Sequence, residues 1–164
     1  MGARTGGEKL VAGGSAPSFS LRRLDGRPQS LTDLLANGPA LLAFFKVSCP
    51  TCQLAFPYLD RFHQQAAGRF KVAGICQDKD RYAAAFRDEF ALEMPLLIDE
   101  EERGYPVSNA FGITHVPSIY LVEASGKIAE FQEGFDQAAL EQLGARLGVR
   151  PFQEGDDPPA WKAG

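Results

Sequence analysis

The chain has 164 residues, of which 45% are hydrophobic, 23% charged and 10% aromatic. This is ordinary globular usage, enough for one domain with a sizeable core, and it excludes disorder and fibrous repeats. The 17 Lys and Arg are interspersed among 21 Asp and Glu for a net charge of -4, so no basic face offers itself to nucleic acid. The longest apolar run, Ala40 to Phe45, is far short of the roughly 18 residues a membrane helix needs.

Met1 to Gly14 carries Arg4 and Lys9 with no apolar stretch of about 7 residues behind them, so it does not read as a secretory signal and the cytoplasm is the default compartment. Residues 1–15, rich in Gly, Ala and Ser, are expected to form a flexible N-terminus. Phe19 to Leu24 alternates weakly, Asp25-Gly26 signals a hairpin, and Leu31 to Leu35 reads as a short helical turn. Ala40 to Val47 is nearly continuous in apolar residues, as a strand covered on both faces requires.

Cys49 to Ala67 has helical spacing through Leu54, Tyr58, Leu59 and Phe62, with Pro57 inside, and predicts a kinked helix. Phe70 to Ile75 reads as a second buried strand. Asp80 to Phe90 places Tyr82, Phe86 and Phe90 on one stripe, a helix facing a sheet. Pro95 to Ile98 predicts a short strand, Val107 to Phe111 a helical turn, and Ser118 to Val122 with Ile128 to Phe131 a hairpin across Ser125-Gly126. Asp136 can cap a closing helix that runs to Leu147. The core order β-α-β-α-β-β-α predicts an α/β fold, a mixed sheet with helices on both faces. From Arg150 on, Asp156, Asp157, Pro158 and Pro159 predict a loosely ordered acidic and proline-bearing tail, residues 150–164.

Three cysteines are too few for a disulfide scaffold, so their spacing carries the information. Cys49-Pro50-Thr51-Cys52 follows a central strand and opens a helix. That puts the first sulfur at a helix N-terminus, where unpaired N–H groups and the positive end of the dipole favour a thiolate, and makes Cys49 the nucleophile. Cys49 would sit at the N-cap and Pro50 at the first helical position, where its missing N–H costs nothing. Thr51 and Cys52 supply the nearest donors. Cys52, one turn away, can attack a mixed disulfide on Cys49 and release a reduced product. A zinc site fits poorly, because Cys76, His63 and His115 are scattered singly. On an unbroken helix His63 stands roughly 21 Å along the axis from Cys49 and reads as a solvated helix residue. No cofactor and no metal are called for.

Several linked segments resemble the thioredoxin superfamily, and within it the TlpA/ResA-like thiol-disulfide oxidoreductases grouped with AhpC/TSA-type domains. They are Ala16-Pro17-Ser18-Phe19 with Leu24-Asp25-Gly26, Phe44 to Cys52 with Phe56-Pro57-Tyr58 behind it, and Phe111 to Ser118. The resemblance covers roughly residues 15 to 148 and implies a thioredoxin fold over 16–149, an N-terminal hairpin extension and dithiol redox activity. It further implies that Pro117 is cis and faces the cysteines, and that Val116 pairs with an extended substrate segment.

The departures from that pattern bear on proton transfer. Ala43 stands where thioredoxin has a buried Asp, Ala55 where ResA-like proteins carry a Glu, Gly74 where thioredoxin has a buried Lys, and Ser48 replaces the usual Trp. The usual proton acceptor for Cys52 is missing. A different base, or water, must serve; His115, two residues before Pro117, is the candidate base, since an imidazole with a pKa about 6.5 exchanges protons at neutral pH, and its other reading is a loop histidine with no role. Cys76 reads as a buried apolar group, and Phe44, Phe45, Phe56 and Tyr58 as core. Gln77-Asp78 reads either as site lining or as plain loop.

The leading expectation is a monomeric thiol-disulfide oxidoreductase acting on disulfide- or thiol-bearing proteins. In a cytoplasm poised near -220 to about -260 mV by extraction methods, the reductase direction is favoured. The alternatives are a thiol peroxidase, weakened because no proline of the P-x-x-x-T-x-x-C pattern precedes Cys49, and a soft-metal carrier using both thiolates and His115.

Overall fold

The computed structural model describes residues 8–164. Strands β1 (Ser20–Arg23) and β2 (Pro28–Ser30) pair antiparallel across the Asp25-Gly26 turn. The one-turn helix α1 (Leu31–Leu34) follows, capped by Ser30, whose hydroxyl accepts the Asp33 N–H at 3.0 Å. Next come β3 (Ala40–Phe45), α2 (Pro50–Gln65), β4 (Lys71–Cys76), α3 (Asp80–Glu89) and β5 (Leu96–Ile98). After them come α4 (Pro106–Phe111), β6 (Ser118–Val122), β7 (Ile128–Glu133), β8 (Phe135–Asp136), α5 (Gln137–Leu147) and β9 (Trp161–Lys162).

Seven strands form one mixed sheet in the order β2-β1-β5-β4-β3-β6-β7, with β3, β4 and β5 parallel and the outer pairs antiparallel. The apolar run at β3 buries every residue because both faces are covered. Leu41, Ala43 and Phe45 join a core layer with α2, α3 and α5. Ala40, Leu42 and Phe44 point the other way, into a layer with α1 and α4. The period of two along the strand thus builds two cores, one on each face.

Two buried carboxylates tie loops to this frame. Asp60 on α2 accepts the Glu93 and Met94 N–H groups, the latter at 2.8 Å, and the Gln64 side-chain amide. Asp99, after β5, accepts the Val107 and Ser108 N–H groups at 3.2 and 2.7 Å, closing the free donors at the start of α4.

Three expectations are corrected. Helix α3 faces the sheet with Ala83, Phe86 and Phe90 at i, i+3, i+7, and Tyr82, 47% exposed, lies outside that stripe with Arg81 stacked on it. The N-terminal region is docked over its described part: Leu10 N–H donates to Phe111, the Tyr120 hydroxyl donates to Leu10, and Ser15 bridges to Lys127. The expectation for residues 1–7 lies outside the described residues. From Arg150 on, the chain packs against α2: Phe152 stacks on Tyr58 at 4.8 Å, and Arg61 pairs bidentately with Asp156. Composition weighed against packing there, but α2 presents Tyr58, Arg61 and Gln65 on one face as specific partners.

Candidate active site

The turn after β3 is held from two sides. Val47 N–H donates to the Asp78 carboxylate at 2.9 Å, and the Gln53 side-chain amide donates to the Val47 carbonyl at 2.9 Å. Cys49 N–H closes the turn onto Lys46. Cys49 is then the N-cap of α2 with extended backbone, φ -79° and ψ 116°. Its sulfur accepts the Cys52 N–H at 3.3 Å, the part a capping side chain plays at a helix start. Pro50 occupies the first helical position.

Across from this helix start, the Val116–Pro117 bond is cis and β6 begins at Ser118. The Cys49 thiol donates to the Val116 carbonyl at 3.5 Å, so strand entry and helix entry meet at one sulfur. Pro117 is buried beside them.

Cys52 is sealed, with no exposed surface, in the layer that holds Ala43, Phe45, Ala55 and Phe56. Burial pushes its thiol well above the ordinary range, offset in part by the Lys46 backbone. Ala43, Ala55 and Gly74, all buried in this layer, carry no ionisable group. A Cβ on Gly74 would meet Leu96 Cδ2 at 2.8 Å, Phe56 Cε1 at 3.0 Å and Phe45 Cε1 at 3.1 Å. Two phenylalanines and a leucine occupy the space a lysine would need.

The structure brings Cys49, Pro50, Thr51, Cys52, Val116 and Pro117 together. The backbone carbonyl of His115, next to Val116, accepts the Ser118 hydroxyl, while its exposed ring takes Thr114 as partner through Nδ1 at 3.0 Å. His63 is half-buried near the far end of α2. Cys76 is fully buried at the end of β4; its thiol donates to the Asp78 carboxylate at 3.4 Å, and burial pushes it above the ordinary range. Among the described residues no three His, Cys, Asp or Glu side chains gather as metal ligands.

Two features were not read from the sequence. Asp78 is the carboxylate under the active-site turn; its position just past the carboxyl end of a central parallel strand is the available signal. The second is the Thr51 hydroxyl, which donates to the Ala163 carbonyl at 2.6 Å over a separation of 112 residues. No sequence pattern announces that contact.

The Redoxin family model matches residues 11–146, most of the chain, including both cysteines and the cis-proline. The chain belongs to the Redoxin family. The thiol-disulfide oxidoreductase ResA of Geobacillus thermodenitrificans is 28% identical over 127 residues, 76% of this chain and 71% of ResA. A protein of Mycobacterium tuberculosis named as a peroxiredoxin is 28% identical over 134 residues, 76% of this chain and 85% of its own.

Among solved structures, the thioredoxin domain of a thiol-disulfide oxidoreductase from Bacteroides vulgatus superposes with a TM-score of 0.74 at 21% identity. It covers 84% of this chain and 98% of that one. The M. tuberculosis peroxidoxin BcpB gives 0.70 at 22%, covering 84% and 96%. The structural likeness establishes the thioredoxin fold. This Redoxin domain is thus a thioredoxin-fold thiol oxidoreductase by class.

Proposed function

We propose that this Redoxin domain exchanges thiols and disulfides by cycling Cys49 and Cys52 between dithiol and disulfide. The observation that carries this reading is the pairing of one accessible and one interior sulfur on a single helical turn, with the Cys52 N–H on the Cys49 sulfur at 3.3 Å. The Cys49 thiolate attacks a substrate disulfide, forming one S–S bond and expelling a substrate thiolate that takes up a proton. Cys52 gives up its proton and attacks Cys49 of the mixed disulfide, which expels the second substrate thiolate and leaves the Cys49–Cys52 disulfide. Two electrons pass from the domain to the substrate. Val116 and Pro117 flank the reacting sulfur and orient the approaching chain, while Pro50 and Thr51 shape the helix start.

The reductase direction is part of the proposal. Strong oxidants owe their potential to a stabilised reduced form. Here the reduced pair receives one amide at Cys49 and an apolar shell at Cys52. The relevant measurement is equilibration against glutathione mixtures with acid trapping: a potential near about -270 mV fits a reductant, and one near about -120 mV reverses the direction.

A peroxidase reading draws on the M. tuberculosis relative. The Cys52→Ser variant separates the two. Accumulation of a stable mixed disulfide on Cys49 is the expected result, whereas rapid peroxide consumption without trapping moves the assignment to peroxidase.

A further inference from the structure

The segment after α5 crosses the active site. It comprises a clamp and a tip joined by Pro158-Pro159. The clamp, residues 150–156, is anchored on α2 at four points. Gln65 exchanges hydrogen bonds with the Arg150 backbone, Arg61 donates to the Pro151 carbonyl at 2.8 Å, Phe152 stacks on Tyr58, and Asp156 holds Arg61 with two oxygens. The tip is held by less. β9 pairs with β8 over two residues, Gln137 N–H donates to Ala160, and the Thr51 hydroxyl donates to Ala163.

The tip touches the chain on both sides of Cys49. Thr51, which takes Ala163, stands between the two cysteines. Gly164 lies against the Val116 backbone, where a Cβ would collide with the Val116 carbonyl oxygen, the same oxygen that faces the Cys49 sulfur. Gly134 makes the matching approach from the other side, since a Cβ there would sit 2.6 Å from the Lys162 carbonyl oxygen. An extended stretch of backbone therefore occupies the ground beside Val116, while Cys49 stays partly open to solvent.

We propose that residues 158–164 are a resident occupant of the site that selects substrates by size, which rests on Cys49 being the reacting sulfur. Small thiols and disulfides reach Cys49 with the tip docked. An extended peptide needs the same edge, so it reacts only after the tip lifts. The asymmetry in anchoring makes lifting local: a two-residue ladder whose outer strand, β9, is exposed opens at far lower cost than the clamp or the sheet. Specificity for peptide disulfides is thus lowered by the open fraction of the tip.

The test compares the full chain with a chain ending at Asp157, which keeps the clamp, and with Gly164→Leu, which keeps every residue but wedges the tip off Val116. Two probes with the same reactive group are used, N-ethylmaleimide and a maleimide capping an unstructured peptide, and the second-order rate of Cys49 modification is read by mass. Both variants are expected to raise the peptide probe's rate about tenfold, the factor for a tip open about a tenth of the time, and the small probe's rate by less than about threefold. Equal gains for both probes, or no gain for the peptide, overturn the proposal. Maleimide addition needs only a reactive Cys49 thiolate. Normal labelling combined with absent disulfide exchange would therefore count against the oxidoreductase reading and leave the proposal for the tip standing.

Discussion

The Asp78 carboxylate accepts the Cys76 thiol at 3.4 Å and the Val47 N–H at 2.9 Å, so the end of β4 fixes the turn that presents Cys49. Because β3 and β4 run parallel, with Phe45 opposite Cys76, their carboxyl ends lie side by side, and one side chain on the second strand's exit can hold the first strand's exit. The turn is thus braced through the sheet as well as by its own Gln53 and Cys49 hydrogen bonds.

Replacing Asp78 with Ala removes that brace and leaves a half-buried N–H without its acceptor, at a cost of about 1–2 kcal/mol. Hydrogen exchange at the Val47 amide should accelerate and thiol-disulfide exchange should slow, while Asp78→Asn, which retains an acceptor oxygen, recovers part of both. An unchanged Val47 amide in the Ala variant would show that the turn holds itself.

The interior thiols set an alkaline limit. Cys52 and Cys76 have folded-state pKa values raised above the ordinary 9.0 by burial, so above that pH the unfolded chain releases protons that the folded chain retains. Their contribution to stability is complete below pH about 9 and declines as pH rises beyond it. Chemical unfolding midpoints of the reduced protein should fall from pH 9 upward, and more gently in Cys76→Ala. A midpoint flat to pH 11 refutes this, since the thiolate-to-thiol ratio of the unfolded chain rises about tenfold per pH unit.

Gly74 is tightly enclosed by Leu96, Phe56 and Phe45. Gly74→Ala should lower stability by about 1–3 kcal/mol through overpacking, read as a lower urea midpoint at unchanged slope. A gain in stability would mean the phenylalanine layer adjusts without cost.

Asp60 is 3% exposed and satisfies two backbone N–H groups on the loop before β5. Asp60→Ala strands both, and the expected loss is about 2–4 kcal/mol in denaturant unfolding. Asp60→Asn, which can accept but also carries an amide, should fall between; a loss below about 0.5 kcal/mol would mean water replaces the carboxylate.

Local pattern carried most of the fold. The continuous apolar run at β3, the Asp136 cap and the C-x-x-C after a strand are all short-range signals, and these elements form where their own residues favour them. The same signals place Cys49, Pro50, Thr51 and Cys52 at one helix start without recourse to any tertiary contact. Tyr82 was misplaced because a stripe of large side chains masked the small Ala83 that faces the sheet.

What the tertiary structure alone decided involves residues distant in sequence. Periodicity says which side of an element is apolar, but carries no record of which polar atoms become neighbours after the chain crosses itself. Asp78 reaches Val47 across 31 positions, Cys49 reaches Val116 across 67, and Thr51 reaches Ala163 across 112. Nor could composition place the tail. Its prolines and acids have little to bury on their own, and its order comes from Tyr58, Arg61 and Gln65, partners that the helical repeat of α2 lines up on one face.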